Sequence, residues 1–432
     1  MPLSLNIGQL YPEAPLCYNP RRIQFTASAQ IPNTTQTLVP AFEHQDQQFS
    51  AAFSTAREAI ANHTFPAACI AVTHAEKLVA LKSFGKFVYE EDLKGAPSSS
   101  RSVRQDGDFD VHVTGDTLFD LASVTKAIAT TTMAMILYER GLLELEAPVS
   151  GTIPEFLTDD QRRHAVTFRM LLTHSSGLPA YEKLFLKAHS RDQLVQAAFT
   201  TPLTADPGTR AEYSDIGFIV LGMALERIAA ESLDAFWQRE IFGPLGMAKT
   251  TFNPPQQLRG KIPPTADERE NQENSNKPHS TFRNRIVQGE VQDENAYVLG
   301  GVAAHAGLFS TAEDVARFAQ MMLAGGSPIL RPATIARFTR RETDPRGTSR
   351  ALGWDTPSAP SQSGKYFGPR AYGHLGYTGT SLWIDPDSQL SITLLTNRTW
   401  PDCSNHAIKQ VRPRIHDAIV ESIGSSSHLG DR

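Results

Sequence analysis

Only three cysteines, Cys17, Cys69 and Cys403, occur in the 432 residues, too few and too scattered for a disulfide framework. No C-x-x-C pair and no H-E-x-x-H helix is present, and the thirteen histidines do not fall at ligand spacings, so no metal site is expected. A G-x-S-x-G elbow is also missing, which disfavours a Ser-His-Asp α/β-hydrolase. No apolar run approaches the length of a membrane span. The opening MPLSLNIGQLYPEAPLCYNPRR lacks a basic segment followed by an apolar core, so no signal peptide is expected in it. As written the chain reads as cytoplasmic, and as periplasmic if its start is incomplete. Neither sign of charge dominates: 41 Lys and Arg stand against 46 Asp and Glu, a net charge of −5. Without a basic stripe, no nucleic-acid partner is expected.

What is present is enough chain for a large core in two lobes. Residues 1–44 are rich in Pro, Thr, Gln and Asn and read as an irregular extension. Phe49, Phe53, Ala56 and Ile60 then mark one face of a helix. Ala68–Thr73 and Leu78–Phe84 flank His74-Ala75-Glu76-Lys77 as a β-hairpin, and Ser381–Asp385 and Leu390–Asn397 flank Pro386-Asp387-Ser388-Gln389 as another. Residues 91–112 read as a polar surface insertion and 265–285 as a polar loop. From Ser123 to about residue 250 the pattern is helical, and Ala127–Leu137, apolar nearly all round, predicts a buried helix. Ser310-Thr311-Ala312-Glu313 predicts a capping box opening a helix with Val315, Phe318, Met322 and Leu323 on its face. Val411, Ile415 and Ile419 mark a last helix, disturbed by Pro413. The expected fold is α/β plus all-α. An antiparallel sheet flanked by helices is built from 45–122 and 295–432, and a helical lobe, 123–294, is inserted between them.

The chemistry centres on Ser123-Val124-Thr125-Lys126, where an extended run meets the long apolar helix. Residues three apart on a helix share a face, so the lysine amine lies beside the serine hydroxyl. That pair is a nucleophile with its own proton partner. The helix N-terminus adds a positive dipole and a backbone N–H where an oxyanion would form. The alternative for Ser123 is a helix N-cap. Ser83-Phe84-Gly85-Lys86 repeats the spacing, but on a strand its ends point to opposite faces.

Pro207–Asp215 delivers Tyr213 just before a helix, as a proton relay or a packed aromatic; Asp215 is open between a catalytic role and a cap. Tyr372-Gly373-His374-Leu375-Gly376-Tyr377-Thr378-Gly379-Thr380 leads into the late hairpin. Its strand edge could supply a second oxyanion N–H, and His374 could contact a carboxylate or relay a proton. The glycine-rich stretches around Gln292-Asp293-Glu294 and Gly300–Gly307 suggest a loop lining a site, with His305 expected to be structural.

Together these segments resemble the serine β-lactamases of class C and their relatives, the penicillin-binding DD-peptidases and esterases, over roughly residues 45–425. Ser123 and Lys126 match the S-x-x-K motif of that family, Tyr213 its Tyr-x-Asn tyrosine, and His374 with Gly376 its Lys/His-x-Gly strand. Leu171–Pro179 resembles a structural loop of the family. Tyr213–Ile216, Gly289–Glu294 and Gly301–Ser310 are similar to the branch named as putative D-alanyl-D-alanine carboxypeptidases. Asp215 stands where class C enzymes carry asparagine, and His374 where they carry lysine; both fit the peptidase-like branch better.

The resemblance implies a β-lactamase/transpeptidase-like fold and an acyl-enzyme on Ser123, with Lys126 and Tyr213 managing protons. The N–H groups of Ser123 and Tyr377 would form the oxyanion hole, and Asp215, Gly376 and Thr378 would line the site. Asp215 is expected to keep Lys126 protonated and pass the base role to Tyr213. A partly charged His374 is expected to hold a substrate carboxylate less firmly than lysine. No cofactor is called for. The expected partner is a small acyl substrate, a D-amino-acid peptide, ester or β-lactam. A class C-type β-lactamase and a penicillin-binding sensor that acylates without turnover are the alternatives.

Overall fold

The computed structural model describes residues 38–90, 92, 111–270 and 281–427. Most of the extension 1–44 and nearly all of the expected insertion 91–112 therefore lie outside the described residues, as does the middle of the polar loop 265–285.

Both expected hairpins form. The strands, in chain order, are β1 (Val39–Pro40), β2 (Ala67–His74), β3 (Lys77–Gly85), β4 (Phe119–Asp120), β5 (Thr251–Phe252), β6 (Ala266–Asp267), β7 (Ile286–Val287), β8 (Leu308–Ser310), β9 (Tyr372–Leu375), β10 (Ser381–Asp385) and β11 (Leu390–Thr396). Six of them make the main sheet, in the order β1-β3-β2-β11-β10-β9. Pairing is antiparallel from β3 to β9, so strands from both chain ends meet at β2 and β11, with Val72 opposite Ile392. One correction falls on the extension: Val39–Pro40 pairs parallel with β3 as an edge strand.

Period-two alternation explains why the central strands are buried throughout. Ala68, Ile70 and Val72 of β2 face a core made with Phe53, Trp383, Ile392, Leu394, Ile415 and Ile419. Ala67, Cys69 and Ala71 face a second core with Leu382, Ile384, Val315 and Phe318. The helices Ser50–Ala61 and Ile408–Ser427 pack together on the first side, while Ala312–Leu323 contacts β2, β10 and β11. Each fully buried Ile or Leu here contributes roughly 1.5–3 kcal/mol. The Ser83 copy of the motif sits on β3 opposite Cys69, with its hydroxyl 3.5 Å from the thiol. Lys86 reaches Glu90 instead.

A small second sheet positions the nucleophile. β4 pairs with β8, and β8 with β5. The Leu121 N–H continues this ladder to Leu308 O at 2.9 Å, immediately before Ser123. Thr311, not Ser310, caps the helix Ala312–Leu323, accepting from Asp314 N. Ser310 lies on β8, its hydroxyl 2.7 Å from that of Thr250. The cap is thus displaced by one residue, because β8 claims Ser310 for the ladder, and no reciprocal box forms, since Asp314 Oδ2 accepts from Lys249 N and Thr250 Oγ1.

Candidate active site

The turn before Ser123 is tight. Ala122 has φ +46°, a left-handed conformation that costs roughly 1–2 kcal/mol in an alanine. Asp120 holds it, its Oδ1 accepting from Ala122 N at 2.8 Å and its Oδ2 from Gln292 N at 2.7 Å. The chain then enters a helix that is wound wide, as a π-turn, over Lys126–Thr131 before becoming α-helical over Thr132–Glu139. The apolar run had predicted one regular buried helix; burial holds and regularity does not. π-turns occur mostly at functional sites.

Ser123 is not a cap. Its hydroxyl accepts from Lys126 Nζ at 2.9 Å. Lys126 is fully buried and also donates to His305 O at 2.8 Å. Its third partner is Asp215, with Oδ1 2.6 Å from Nζ. Burial, the largest single influence, favours the neutral amine, but Asp215 and Tyr213 together outweigh it, and the lysine is held above its ordinary pKa of 10.5. The open question about Asp215 is settled by its neighbour. Ser214 is the N-cap of the helix Asp215–Ala229, its hydroxyl accepting from Gly217 N at 2.9 Å. Asp215 is left to face the lysine.

Tyr213 lies over this pair, with Lys126 Nζ 4.9 Å from its ring centroid. Its hydroxyl interacts with Lys126 and Ser123. Burial nevertheless dominates and pushes its pKa up to about 12. Burial thus works against the tyrosinate that a base role for Tyr213 would need and favours the phenol, a proton donor. The loop Leu171–Pro179 aims it. His174 Nδ1 accepts from Ser214 N at 3.0 Å, and its ring lies 4.6 Å from that of Tyr213. Because Nδ1 is an acceptor, His174 must be neutral.

His374 also departs from expectation. It is 3% exposed on β9, and burial, with Lys126 and Arg350 nearby, pushes its pKa down to about 3. It is a neutral imidazole, its Nδ1–H donating to Leu375 O at 2.9 Å. It therefore offers a carboxylate no charge. Arg350, which nothing local in the sequence singled out, supplies one: its guanidinium lies 5.5 Å from the Tyr213 ring centroid and 3.8 Å from Asp355.

Past β9 the chain is sewn to the nucleophile turn. Thr378 Oγ1 donates to Asp120 O at 2.7 Å and Thr380 Oγ1 to Leu121 O at 2.9 Å. Thr378 is thus buried and structural, not a lining residue. A Cβ on Gly376 would stand 2.5 Å from Leu121 O, so only glycine allows this approach. Among the described residues, the N–H groups of Ser123 and Tyr377 have no internal acceptor. Asp293 and His305, which carried no assigned chemistry, prove to be support. His305 Nε2 lies 2.9 Å from Asp293 Oδ1, and Asp293 caps the helix Glu294–Val298.

Ser123, Tyr213, Asp215, His374, Gly376 and Tyr377 line one cavity of about 1090 Å³, with Lys126 behind its floor. Arg398 and Arg412 form part of the far wall. Among the described residues neither has a carboxylate partner; Arg398 donates to Tyr377 O and Arg412 to Gln362 Oε1 and Thr380 O. No group of three or more metal-ligating side chains occurs among the described residues, and none of their helices is long and apolar enough to cross a membrane.

Three buried histidines make stability sensitive to acid. His374 and His416 are pushed down to about 3, and His174 well below its ordinary 6.5. Between pH 6.5 and 3 the unfolded chain binds protons that the folded chain refuses. Stability is therefore complete above 6.5 and falls on acidification, by up to about 1.4 kcal/mol per pH unit per histidine. Asp120, pushed up to about 6 by burial, and Asp314, also raised by burial, oppose this above their ordinary 3.8, two protons against three. Urea midpoints should fall steeply from pH 7 to 4.5. A midpoint that holds or rises over that range would refute the burial of neutral imidazoles.

A model of the family described as Beta-lactamase matches residues 52–411. A protein of Salmonella paratyphi B named "Putative D-alanyl-D-alanine carboxypeptidase" is 32% identical over 365 residues, covering 79% of this chain and 81% of its own. Among solved structures, a penicillin-binding protein homologue from Caulobacter crescentus superposes with a TM-score of 0.65 at 19% identity, covering 89% of this chain and 99% of its own. A class C β-lactamase from Rhodobacter sphaeroides does so with a TM-score of 0.61 at 22% identity, covering 87% and 99%. At such identities the two structures speak for the fold.

Proposed function

Because this chain belongs to the β-lactamase family and is a serine hydrolase of it, we propose that it cleaves D-alanyl-D-alanine-type peptides or related esters bearing a free carboxylate. The line Ser123–Lys126–Asp215 carries this reading: a hydroxyl 2.9 Å from a buried amine, itself 2.6 Å from a carboxylate. Ser123 Oγ bonds to the substrate carbonyl carbon. Its proton passes to Lys126 Nζ as a lysine proton passes to Asp215 Oδ1, 2.6 Å away. The developing oxyanion takes the N–H groups of Ser123 and Tyr377. Collapse breaks the C–N or C–O bond. The leaving atom takes the phenolic proton of Tyr213, which Asp215 restores through Lys126. Water then releases the acyl group.

Arg398 and Arg412, which line the cavity with no carboxylate partner among the described residues, support the choice of a carboxylate-bearing substrate. The β-lactamase reading is second to it, because the neutral His374 leaves the strand without the charge that lysine would bring. Intact mass and turnover test the proposal. Penicillin should add one acyl group to the peptide containing Ser123, and an acyl-D-Ala-D-Ala peptide should release D-alanine over many turnovers. Labelling elsewhere, or an adduct with no peptide or ester turnover, would overturn it; the latter outcome describes a sensor.

A further inference from the structure

A second cavity, of about 520 Å³, lies beside the first, and Phe282 alone among the described residues lines both. Its ring stands in a row of three aromatics. On one side is Phe185, a wall of the Ser123 cavity, at 4.9 Å and 64° between planes. On the other is Tyr297, a wall of the second cavity, at 6.3 Å and 82°. Both are edge-to-face contacts that fix a ring's orientation.

The backbone beside it is anchored. Arg283 and Glu268 form an ion pair at 2.6 Å with both side chains 2% exposed. Arg283 also donates to Val291 O and Gln292 O at 2.7 and 2.8 Å. Phe185 is fixed as well, its N–H donating to Asn295 Oδ1 at 3.0 Å.

Apolar side chains are also exposed in the Ser123 cavity: Tyr181, Leu186 and Phe282 are 37%, 60% and 37% exposed, and all three line it. Exposed apolar side chains inside such a cavity are a place for an apolar part of the substrate. The second cavity would also accept one. Three of its polar side chains are already paired, Arg259 with Glu290 at 2.6 Å and Asn253 Nδ2 with Gly300 O at 2.8 Å. Val291, Val298 and Tyr297 give it an apolar part, beside His189.

We propose that Phe282 is the end wall for the apolar arm of the substrate: it seats an arm against Tyr181 and Leu186 and bars it from the adjoining cavity. The inference rests on the acyl-enzyme reading and names the substrate class more closely, as acyl compounds with a short or compact apolar arm. Removing the ring joins the two cavities and admits longer arms.

The test is a chain-length series in wild type, Phe282→Ala, Phe282→Leu and Phe282→Trp. The kcat/KM of p-nitrophenyl esters from acetate to decanoate gives a long-to-short ratio for each. That ratio should rise about tenfold or more in Phe282→Ala, since methylenes admitted to an apolar pocket are worth such factors. It should rise less in Phe282→Leu and fall in Phe282→Trp. The same series is read without turnover by calorimetric binding of N-acetyl- and N-decanoyl-D-alanine to Ser123→Ala carrying each change. Superimposable ratios in variants that melt cooperatively would overturn the wall. Failure of the acyl-enzyme reading looks different: esters are not hydrolysed by wild type, or are still hydrolysed by Ser123→Ala, and binding alone then decides on Phe282.

Discussion

Ser123→Ala is expected to abolish the penicillin adduct and to lower peptide and ester turnover by about three orders of magnitude or more, because among the described residues no other serine hydroxyl accepts from Lys126. The same spacing at Ser83 offers no rescue: Ser83 lies on β3 against Cys69, and Lys86 is engaged by Glu90. Folding should survive. The hydroxyl caps no backbone N–H and gives up one hydrogen bond from Lys126, which keeps Asp215 and His305 O. The stability change should stay within about 1 kcal/mol. The measurement pairs active-site titration by mass with a denaturation curve. Residual burst labelling in the variant would remove Ser123 from the mechanism, and a collapsed melt would assign it to structure.

Asp215→Asn should cut the acylation rate near pH 7 by about 10²-fold or more, the scale of a lost general base. The rate should then recover as pH rises. The sign follows from Lys126. In the wild type, Asp215 holds the lysine above its ordinary pKa, so lysine does not titrate in the working range and its proton goes to Asp215. In the variant burial acts unopposed by that charge, the lysine pKa falls, and neutral lysine becomes the base above it. An ascending limb therefore enters the pH–rate profile. Stability should follow the same course. A buried ammonium without its counter-ion costs about 3 kcal/mol near neutrality, and less where the lysine deprotonates. Loss of a cap cannot mimic this, because Ser214 caps the helix and asparagine would not disturb it. Single-turnover acylation from pH 5 to 10 decides the matter, and superimposable profiles would end the relay through Asp215.

Much of this was legible in the chain because it depends on local geometry. S-x-x-K places serine and lysine on one face only at a helix start, which distinguishes Ser123 from Ser83 without any knowledge of the fold. The two hairpins follow from alternating apolar residues around turn sequences, and Val315, Phe318 and Met322 fall on one helix face by their spacing. The family motifs at Tyr213 and at His374 with Gly376 likewise name residues that share one cavity.

What each residue is, chemically, was decided by neighbours far away in sequence. His374 and Tyr213 have ordinary pKa values in water. Burial makes one a neutral imidazole and holds the other more firmly as the phenol it already is at neutral pH, and burial is a property of the packed chain. Asp215 could have been a cap or a counter-ion; Ser214 takes the cap, and Lys126, 89 positions earlier in the numbering, takes the charge. Thr378 lies beside the cavity strand in sequence, yet its hydroxyl is spent on Asp120 O. Arg350, Arg398, Arg412 and Phe282 carry no local signature, since a cation or an aromatic ring gains meaning only from the wall it completes. The sequence by itself determined the pairing of Ser123 with Lys126, the two hairpins and the faces of their helices, because backbone periodicity and turn chemistry act over a few residues. Tertiary structure alone decided the protonation states and brought Arg350, Arg398, Arg412 and Phe282 to the wall of one cavity, because desolvation and packing act through space.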